Sequence, residues 1–171
     1  MNDIKLRVMQ NNVFLDSFKA LGANAVPLPF SELFTALETR AVDGQENPFN
    51  TVVSSKFYEV QKYVSGTNHV YATNPIQISK RFWDKLSATE HKILADAAIE
   101  AQNWQRVVSR EVSAKALGEL TAKGMLYNDV PPAELAKMRA EVRPVYDKFS
   151  AAYDPAIVTL FKSELERVSK F

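Results

Sequence analysis

The sequence predicts an α/β fold for its first 65 residues, because stretches with strand periodicity alternate with stretches with helix periodicity. Ile4, Leu6 and Val8 alternate with charged or polar positions, as in a strand with one buried face. Residues 13–21 then repeat apolar side chains at helical spacing and stop at Gly22. The 171 residues are 46% hydrophobic, enough for the core of one domain or slightly more. This combination is typical of a parallel α/β lobe.

Beyond the first helix, the alternation continues through two further strands and two further helices. Residues 25–29 are predicted to form a strand, and Ser31 is predicted to cap a helix over residues 33–37. Val42 is placed in a third strand. Apolar positions at helical spacing predict another helix over residues 49–64.

The middle of the chain changes in character from extended to helical. Residues 68–79 alternate apolar and polar side chains and are predicted to be extended. Ser87 and Glu90 have the spacing of a capping box, and helical periodicity runs from there to about Lys123, with a break near Gly118 as an alternative. Such a helix is roughly 50 Å long, so it is expected to cross between two bodies or to pack along both.

The last third of the chain is predicted to be helical. Gly124 ends the long helix, and Pro131 and Pro132 begin another. Pro144 is expected to kink or restart that helix. Residues 157–168 form a final amphipathic helix.

Composition excludes several classes of function. The net charge is +1, from 21 Lys and Arg against 20 Asp and Glu, and no basic cluster indicates a nucleic-acid partner. The absence of cysteine rules out disulfides, thiolate metal sites and cysteine nucleophiles. His69 and His91 lack the spacing of a metal site. The five glycines form no nucleotide-binding or serine-hydrolase motif, so no cofactor is predicted.

The stretch 41–48, Ala-Val-Asp-Gly-Gln-Glu-Asn-Pro, is the most distinctive polar segment. It is interpreted as a loop entering a helix with Asn47 at the N-cap and Pro48 in the first turn. A helix N-terminus attracts anions, which suits a carboxylate ligand. The alternative is that Asn47 only caps its helix and that Asp43 and Gly44 only turn the chain.

Arg7 and Phe30 are predicted to lie at the same edge of the sheet as Asn47. Arg7 is near the carboxyl end of the first strand, and ligands of open α/β sheets bind beyond the carboxyl ends. The alternatives are a solvated arginine and a core aromatic residue. An α/β enzyme with Asp43, Glu46 and His69 as acid and base is a rival hypothesis, but no nucleophile or cofactor motif accompanies these residues.

Three motifs carry a resemblance to a known family. They are Phe-Ser-Glu-Leu-Phe-Thr-Ala-Leu at 30–37, Val-Asp-Gly-Gln-Glu-Asn-Pro at 42–48 and Lys-Phe-Tyr-Glu-Val-Gln-Lys-Tyr at 56–63. With them, nearly the whole chain resembles the solute-binding proteins of tripartite ATP-independent periplasmic (TRAP) transporters. The resemblance implies one lobe of a two-lobed periplasmic-binding-protein-like fold, with a long helix and a helical C-terminal tail. It also implies a periplasmic receptor without enzymatic activity, which passes an organic acid, a carboxylate or dicarboxylate, to TRAP permease subunits in the membrane.

The resemblance assigns roles to four residues. Arg7 is expected to form a bidentate pair with the ligand carboxylate, for which a guanidinium is well suited. Asn47 and Phe30 are expected to line the ligand cleft, and Gln10 to contact the solute. Met9 stands where the family commonly has proline.

The resemblance also divides the chain. Residues 1–72 are expected to be the ligand-contacting second lobe, residues 73–112 an inter-lobe strand and helix of the first lobe, and residues 113–171 a return to the second lobe with the C-terminal helices. The rest of the first lobe would precede Arg7, so the chain is expected to be a fragment. We expect a homodimer that exchanges the segment 73–112. The alternative function is an oligomerising interaction fragment that binds no solute.

Overall fold

Three short parallel strands form the sheet around which the first half of the chain folds. The computed structural model describes residues 1–168. The strands are β1 (Lys5–Val8), β2 (Asn24–Pro27) and β3 (Gly44–Gln45), in the spatial order β2, β1, β3. Arg7 in the central strand lies in register with Val26 on one side and Gln45 on the other. The carboxyl ends of all three strands therefore meet at one edge.

A second sheet pairs two strands from distant parts of the chain. Strand β4 (Tyr63–Gly66) runs parallel to β5 (Leu126–Asp129). Strand β5 was not predicted, because each of its residues is exposed and its sequence shows no apolar alternation. Its partner β4 occupies the end of the predicted helix over residues 49–64.

That predicted helix is therefore wrong over most of its length. Helix α3 covers only Phe49–Ser54, and a single 3₁₀ turn follows at Phe57–Glu59. Between them Lys56 has a left-handed backbone with φ of 54°, which a continuing α-helix does not allow.

The remaining helices agree with the sequence more closely. They are α1 (Asn12–Ala20), α2 (Leu33–Glu38), α4 (Lys80–Trp83), α5 (Ala88–Ala122), α6 (Pro132–Ser150) and α7 (Pro155–Val168). The capping box at the start of α5 is confirmed, since the Glu90 backbone N–H donates to Ser87 Oγ and the Ser87 backbone N–H donates to Glu90 Oε2. Helix α5 is continuous through Gly118, and α6 neither breaks nor restarts at Pro144.

Three smaller predictions need correction. Val42 is buried but precedes β3. Ser31 caps no helix, because it lies inside a 3₁₀ turn over Phe30–Glu32 that leads into α2. Residues 67–79 belong to no strand or helix and pair with no other strand among residues 1–168, although alternation predicted an extended segment over 68–79.

Two apolar clusters stabilise the described part of the chain. One lies between β1, α1 and β2 and contains Val8, Phe18, Ala23 and Ala25. The other brings the carboxyl end of α5 against α2 and α3, with Leu33, Val52, Phe57 and Leu120 almost completely buried. The amino-terminal half of α5 projects away from both clusters, and Ile93 and Trp104 are 60% and 68% exposed. Within residues 1–168, no helix combines the length and apolar character that crossing a bilayer requires.

Candidate functional site

Arg7 is a buried arginine that forms no ion pair with a carboxylate among residues 1–168. Its side chain enters from the central strand, and the residue is only 4% exposed. The Nε–H group donates to the Leu28 carbonyl oxygen at 2.8 Å. Among residues 1–168, no hydrogen bond or ion pair engages Nη1 or Nη2. Burying an unpaired charge is costly, so an anion placed against these two donors would stabilise the guanidinium.

Electrostatics at Arg7 combine two opposing effects. Burial lowers the pKa of the Arg7 guanidinium from its ordinary value, and the nearby Glu46 carboxylate raises that pKa. An arginine stays protonated in proteins, so the guanidinium keeps its positive charge. Among residues 1–168, Glu46 forms no ion pair with Arg7, although its charge acts on the guanidinium.

Phe30 lies against the Arg7 guanidinium. The Arg7 Cζ atom is 5.9 Å from the centroid of the Phe30 ring, within the range of a cation–π contact. Phe30 is 49% exposed, and its ring meets Phe57 edge to face at 5.9 Å between centroids. The alternative of Phe30 as a core residue is therefore wrong, because half of its surface faces solvent beside the arginine.

Asn47 lies at the same sheet edge but does not cap α3. Its Nδ2 donates to Gln45 Oε1 at 2.6 Å, and the N-cap position belongs to Pro48, whose carbonyl oxygen accepts from the Thr51 and Val52 backbone N–H groups. The predicted cap is thus displaced by one residue. Helix α3 has only six residues, so its dipole adds little to the site.

Gln10 follows the carboxyl end of β1 and is exposed. The next residue, Asn11, caps α1 by accepting from the Val13 backbone N–H at 2.8 Å. Within residues 1–168, no hydrogen bond joins Gln10 or Asn47 to Arg7. The structure thus brings Arg7 and Phe30 into contact and leaves Asn47 and Gln10 in the loops at the same edge.

A pair of side chains that sequence reasoning did not place at the ligand site forms its neighbouring wall. Glu46 Oε2 lies 3.2 Å from His69 Nε2, and the other ring nitrogen, Nδ1, lies 2.7 Å from Thr67 Oγ1. Glu46 directly follows β3, and His69 lies three residues after β4. For Glu46, the position after the predicted third strand was the available signal. For His69 there was none, because the start of β4 was predicted as the end of a helix.

Asp43 does not join that pair. Its Oδ2 accepts from the Lys5 backbone N–H at 2.8 Å, at the amino end of β1. The proposed enzymatic trio of Asp43, Glu46 and His69 is therefore divided between opposite edges of the sheet. Within residues 1–168, no three His, Cys, Asp or Glu side chains form a group that could hold a metal ion.

One concavity of the described structure lies away from Arg7. It is an open cleft of about 690 Å³ at the amino edge of the strands, lined by Leu37, Arg40, Asp43, Tyr58 and Lys62 among others. It contains neither Arg7 nor Phe30.

Comparison with known proteins assigns the chain to a family. Residues 1–152 match the profile of DctP, described as bacterial extracellular solute-binding protein, family 7. The chain belongs to this family. The resemblance to TRAP solute-binding proteins and the predicted fold class are thereby confirmed.

Solved structures of family members share the fold of this chain. A TRAP solute-binding protein from Ochrobactrum anthropi is 44% identical, with a TM-score of 0.82 over 99% of this chain and 53% of that one. The sugar acid binding protein DctPAm from Advenella mimigardefordensis, solved with galactonate, is 45% identical, with a TM-score of 0.77 over 88% of this chain and 48% of that one.

A curated relative from Escherichia coli is similar over part of the chain. The 2,3-diketo-L-gulonate-binding periplasmic protein YiaO is 38% identical over 125 residues, which are 73% of this chain and 38% of that protein. The chain spans about half the length of the relatives and structures that it matches most fully. Members of this solute-binding family are receptors for transport systems and not enzymes.

Proposed function

We propose that this chain supplies the carboxylate-binding wall of a TRAP solute receptor. The observation that carries the proposal is Arg7, which is buried, held through Nε by the Leu28 carbonyl, and bonded through neither terminal nitrogen within residues 1–168. Two parallel N–H donors in a fixed plane match the two oxygens of a carboxylate. Fixing the guanidinium before the ligand arrives reduces the entropy lost on binding.

Three further residues complete the proposed wall. Phe30 offers a half-exposed ring beside the guanidinium, and we assign to it an apolar contact with the carbon chain of the ligand. Asn47, partly buried and already bonded to Gln45, supplies a fixed amide for a polar ligand atom. Gln10 is exposed in the loop after β1 and supplies an amide that can adapt to the ligand.

The proposed ligand is a sugar acid with one carboxylate. Two relatives support this class, since one is named for 2,3-diketo-L-gulonate and another was solved with galactonate. Glu46 and His69 line the wall next to Arg7 and offer hydrogen-bonding groups to ligand hydroxyls. A dicarboxylate is the alternative, and its second carboxylate would approach the negative charge of Glu46.

The place of this chain in transport follows from the same proposal. We assign residues 1–72 to the ligand-contacting second lobe and residues 73–112 to a strand and helix of the first lobe. Residues 113–171 are assigned to the return of the chain to the second lobe and to the C-terminal helices. The receptor would act in the periplasm and deliver its acid unchanged to TRAP permease subunits. The exposed half of α5 and the unpaired segment 67–79 support this division, because both project from the two apolar clusters.

The test compares substitutions of two arginines. In a receptor containing this lobe, Arg7→Lys should lose about 1.5–3 kcal/mol of affinity for galactonate, and Arg7→Ala should lose more. Arg143→Lys is the control, since Arg143 is exposed and pairs with Asp147 one helical turn away. Isothermal titration calorimetry gives the affinities. Unchanged binding in Arg7→Ala would remove Arg7 from the site, and chemical turnover of galactonate, followed by NMR, would refute the receptor function.

A second candidate function rests on the exposed apolar residues. Tyr71 and Ile76 in the segment 67–79 and Trp104 on α5 are each more than 60% exposed. We propose that the isolated chain covers this surface with a second copy, by exchange of the segment 73–112. In that state it would be an oligomerising module that binds little or no solute.

A further inference from the structure

A row of aromatic rings connects the apolar core to the guanidinium of Arg7. Phe57 is 1% exposed, and its ring lies 6.5 Å from Phe34 and 5.9 Å from Phe30, measured between centroids. Phe30 lies against Arg7, with 5.9 Å between its centroid and the Arg7 Cζ. The row therefore begins in the core and ends at the charged group.

Phe30 depends on Phe57 for its position. It is 49% exposed and begins a 3₁₀ turn of only three residues, which no side chain caps. Within residues 1–168, its only aromatic contact is the Phe57 ring, which meets it at 62° between planes. A half-exposed ring on a short turn keeps one orientation only if a rigid neighbour supports it.

Phe57 itself is rigid. It packs in the same cluster as Leu33, Val52 and Leu120, all of which are at most 1% exposed. Its backbone is fixed by the left-handed residue Lys56 before it and by its carbonyl oxygen, which accepts from the Val60 backbone N–H at 3.1 Å. The buried Phe57 ring therefore gives the Phe30 ring a fixed surface to pack against.

We propose that Phe57 is a positioning residue of the carboxylate site, which holds the Phe30 ring against Arg7 and thereby sets the plane of Nη1 and Nη2. The proposal rests on the proposed function, in which Arg7 binds the carboxylate. A bidentate pair requires the guanidinium and the carboxylate to be coplanar, so a tilting guanidinium loses one of the two hydrogen bonds. Phe57 acts through Phe30 and does not touch the ligand.

The experiment separates this role from simple core packing. The variants are Phe57→Leu, Phe30→Ala and the double variant, and the control is Val52→Ala, a core truncation at the same depth without a ring contact to Phe30. The dissociation constant for sodium galactonate is measured by NMR titration of the chain. We expect Phe57→Leu to weaken binding about two- to tenfold and Val52→Ala less than about twofold. In the Phe30→Ala background, Phe57→Leu should have no further effect.

Two outcomes would overturn the proposal. Equal weakening by Phe57→Leu and Val52→Ala would show a general loss of packing, and an undiminished effect of Phe57→Leu in the Phe30→Ala background would show that Phe57 does not act through Phe30. If Phe57→Leu does not fold, Phe57→Met takes its place, because the flexible unbranched side chain of Met adapts to irregular space in a core.

A readout without ligand keeps the two proposals distinguishable. The Arg7 Nε–H group donates to Leu28 in the free protein, so its NMR signal should be narrow and protected from exchange. Phe57→Leu should broaden that signal, and Val52→Ala should not. If a receptor containing this lobe binds no galactonate, the proposed function fails while this signal still tests the positioning role. An unchanged Arg7 Nε–H signal in Phe57→Leu would refute the positioning role of Phe57.

Discussion

Glu46 and His69, which are 23 positions apart, meet with 3.2 Å between Oε2 and Nε2. The contact joins the loop after β3 to the loop after β4, although the two strands belong to different sheets. Phe18 of α1 meets the imidazole edge to face at 5.5 Å between centroids. Within residues 1–168, His69 is the last residue before α4 for which a hydrogen bond or a ring contact to the lobe is found.

His69→Ala should release the start of the segment 67–79 with little change in global stability. The pair is partly exposed, with side-chain accessibilities of 31% for His69 and 13% for Glu46, so its loss should cost less than about 1 kcal/mol of unfolding free energy. Local opening should nevertheless increase, and hydrogen exchange at residues 67–70 should accelerate. His91→Ala, near the start of α5, is the control. Unchanged exchange at residues 67–70 would show that the segment is held by other contacts.

Sequence reasoning found the first sheet and its rim because their signals are local. The alternation of residues 4–8 and the stop at Gly22 are visible within a few residues, and Gly22 has the left-handed φ of 84° that such a stop requires. Arg7 could be placed at the carboxyl end of its strand. The burial of Arg7 and its hydrogen bond to the Leu28 carbonyl could not be predicted, because Leu28 is 21 positions away.

The second sheet was missed because its signals are not local. Strand β4 follows Lys56, whose left-handed backbone nothing in the sequence marks, since glycine or asparagine is the usual residue there. Its partner β5 lies about 60 residues further on, in register from Tyr63 opposite Leu126 to Gly66 opposite Asp129. Pairing at that distance overrides the helical spacing of the apolar residues before β4.

Two glycines should respond to alanine in opposite directions. A Cβ atom at Gly66 would lie 2.5 Å from the Tyr127 hydroxyl, so Gly66→Ala must displace that ring and should cost about 1–3 kcal/mol. Gly118 lies inside α5, and a Cβ atom there would meet no other atom within 4 Å, so Gly118→Ala should stabilise the chain by up to about 1 kcal/mol. Urea unfolding of both variants measures these changes in the free energy of unfolding. If Gly66→Ala does not lower the free energy of unfolding, the Tyr127 ring moves aside without cost.

Acid should loosen the start of α5. Hydrogen bonds from the Ser87 hydroxyl and backbone lower the pKa of the Glu90 carboxyl from its ordinary value. A lowered pKa means that the folded helix favours the ionised form, so this contribution is present above the ordinary pKa and is lost as the pH falls through the lowered value. The protection of the amides in the first turn, measured as exchange relative to the intrinsic rate at the same pH, should therefore fall in acid, and Glu90→Gln should remove much of that pH dependence. Identical acid sensitivity in both proteins would contradict the role of Glu90.

The isolated chain should bind its acid weakly and associate with itself. A bidentate pair to Arg7 contributes about 1.5–3 kcal/mol, whereas a dissociation constant of 1 mM corresponds to about 4.1 kcal/mol, so a single open wall should bind at millimolar strength or more weakly. The exposed apolar residues of α5, with Trp104 at 68%, favour burial against a second copy. Light scattering on a dilution series should show a dimer that Trp104→Glu dissociates, while Lys92→Glu on the same helix should not. A strict monomer with micromolar affinity for galactonate would show that this chain forms a complete binding site without a second wall.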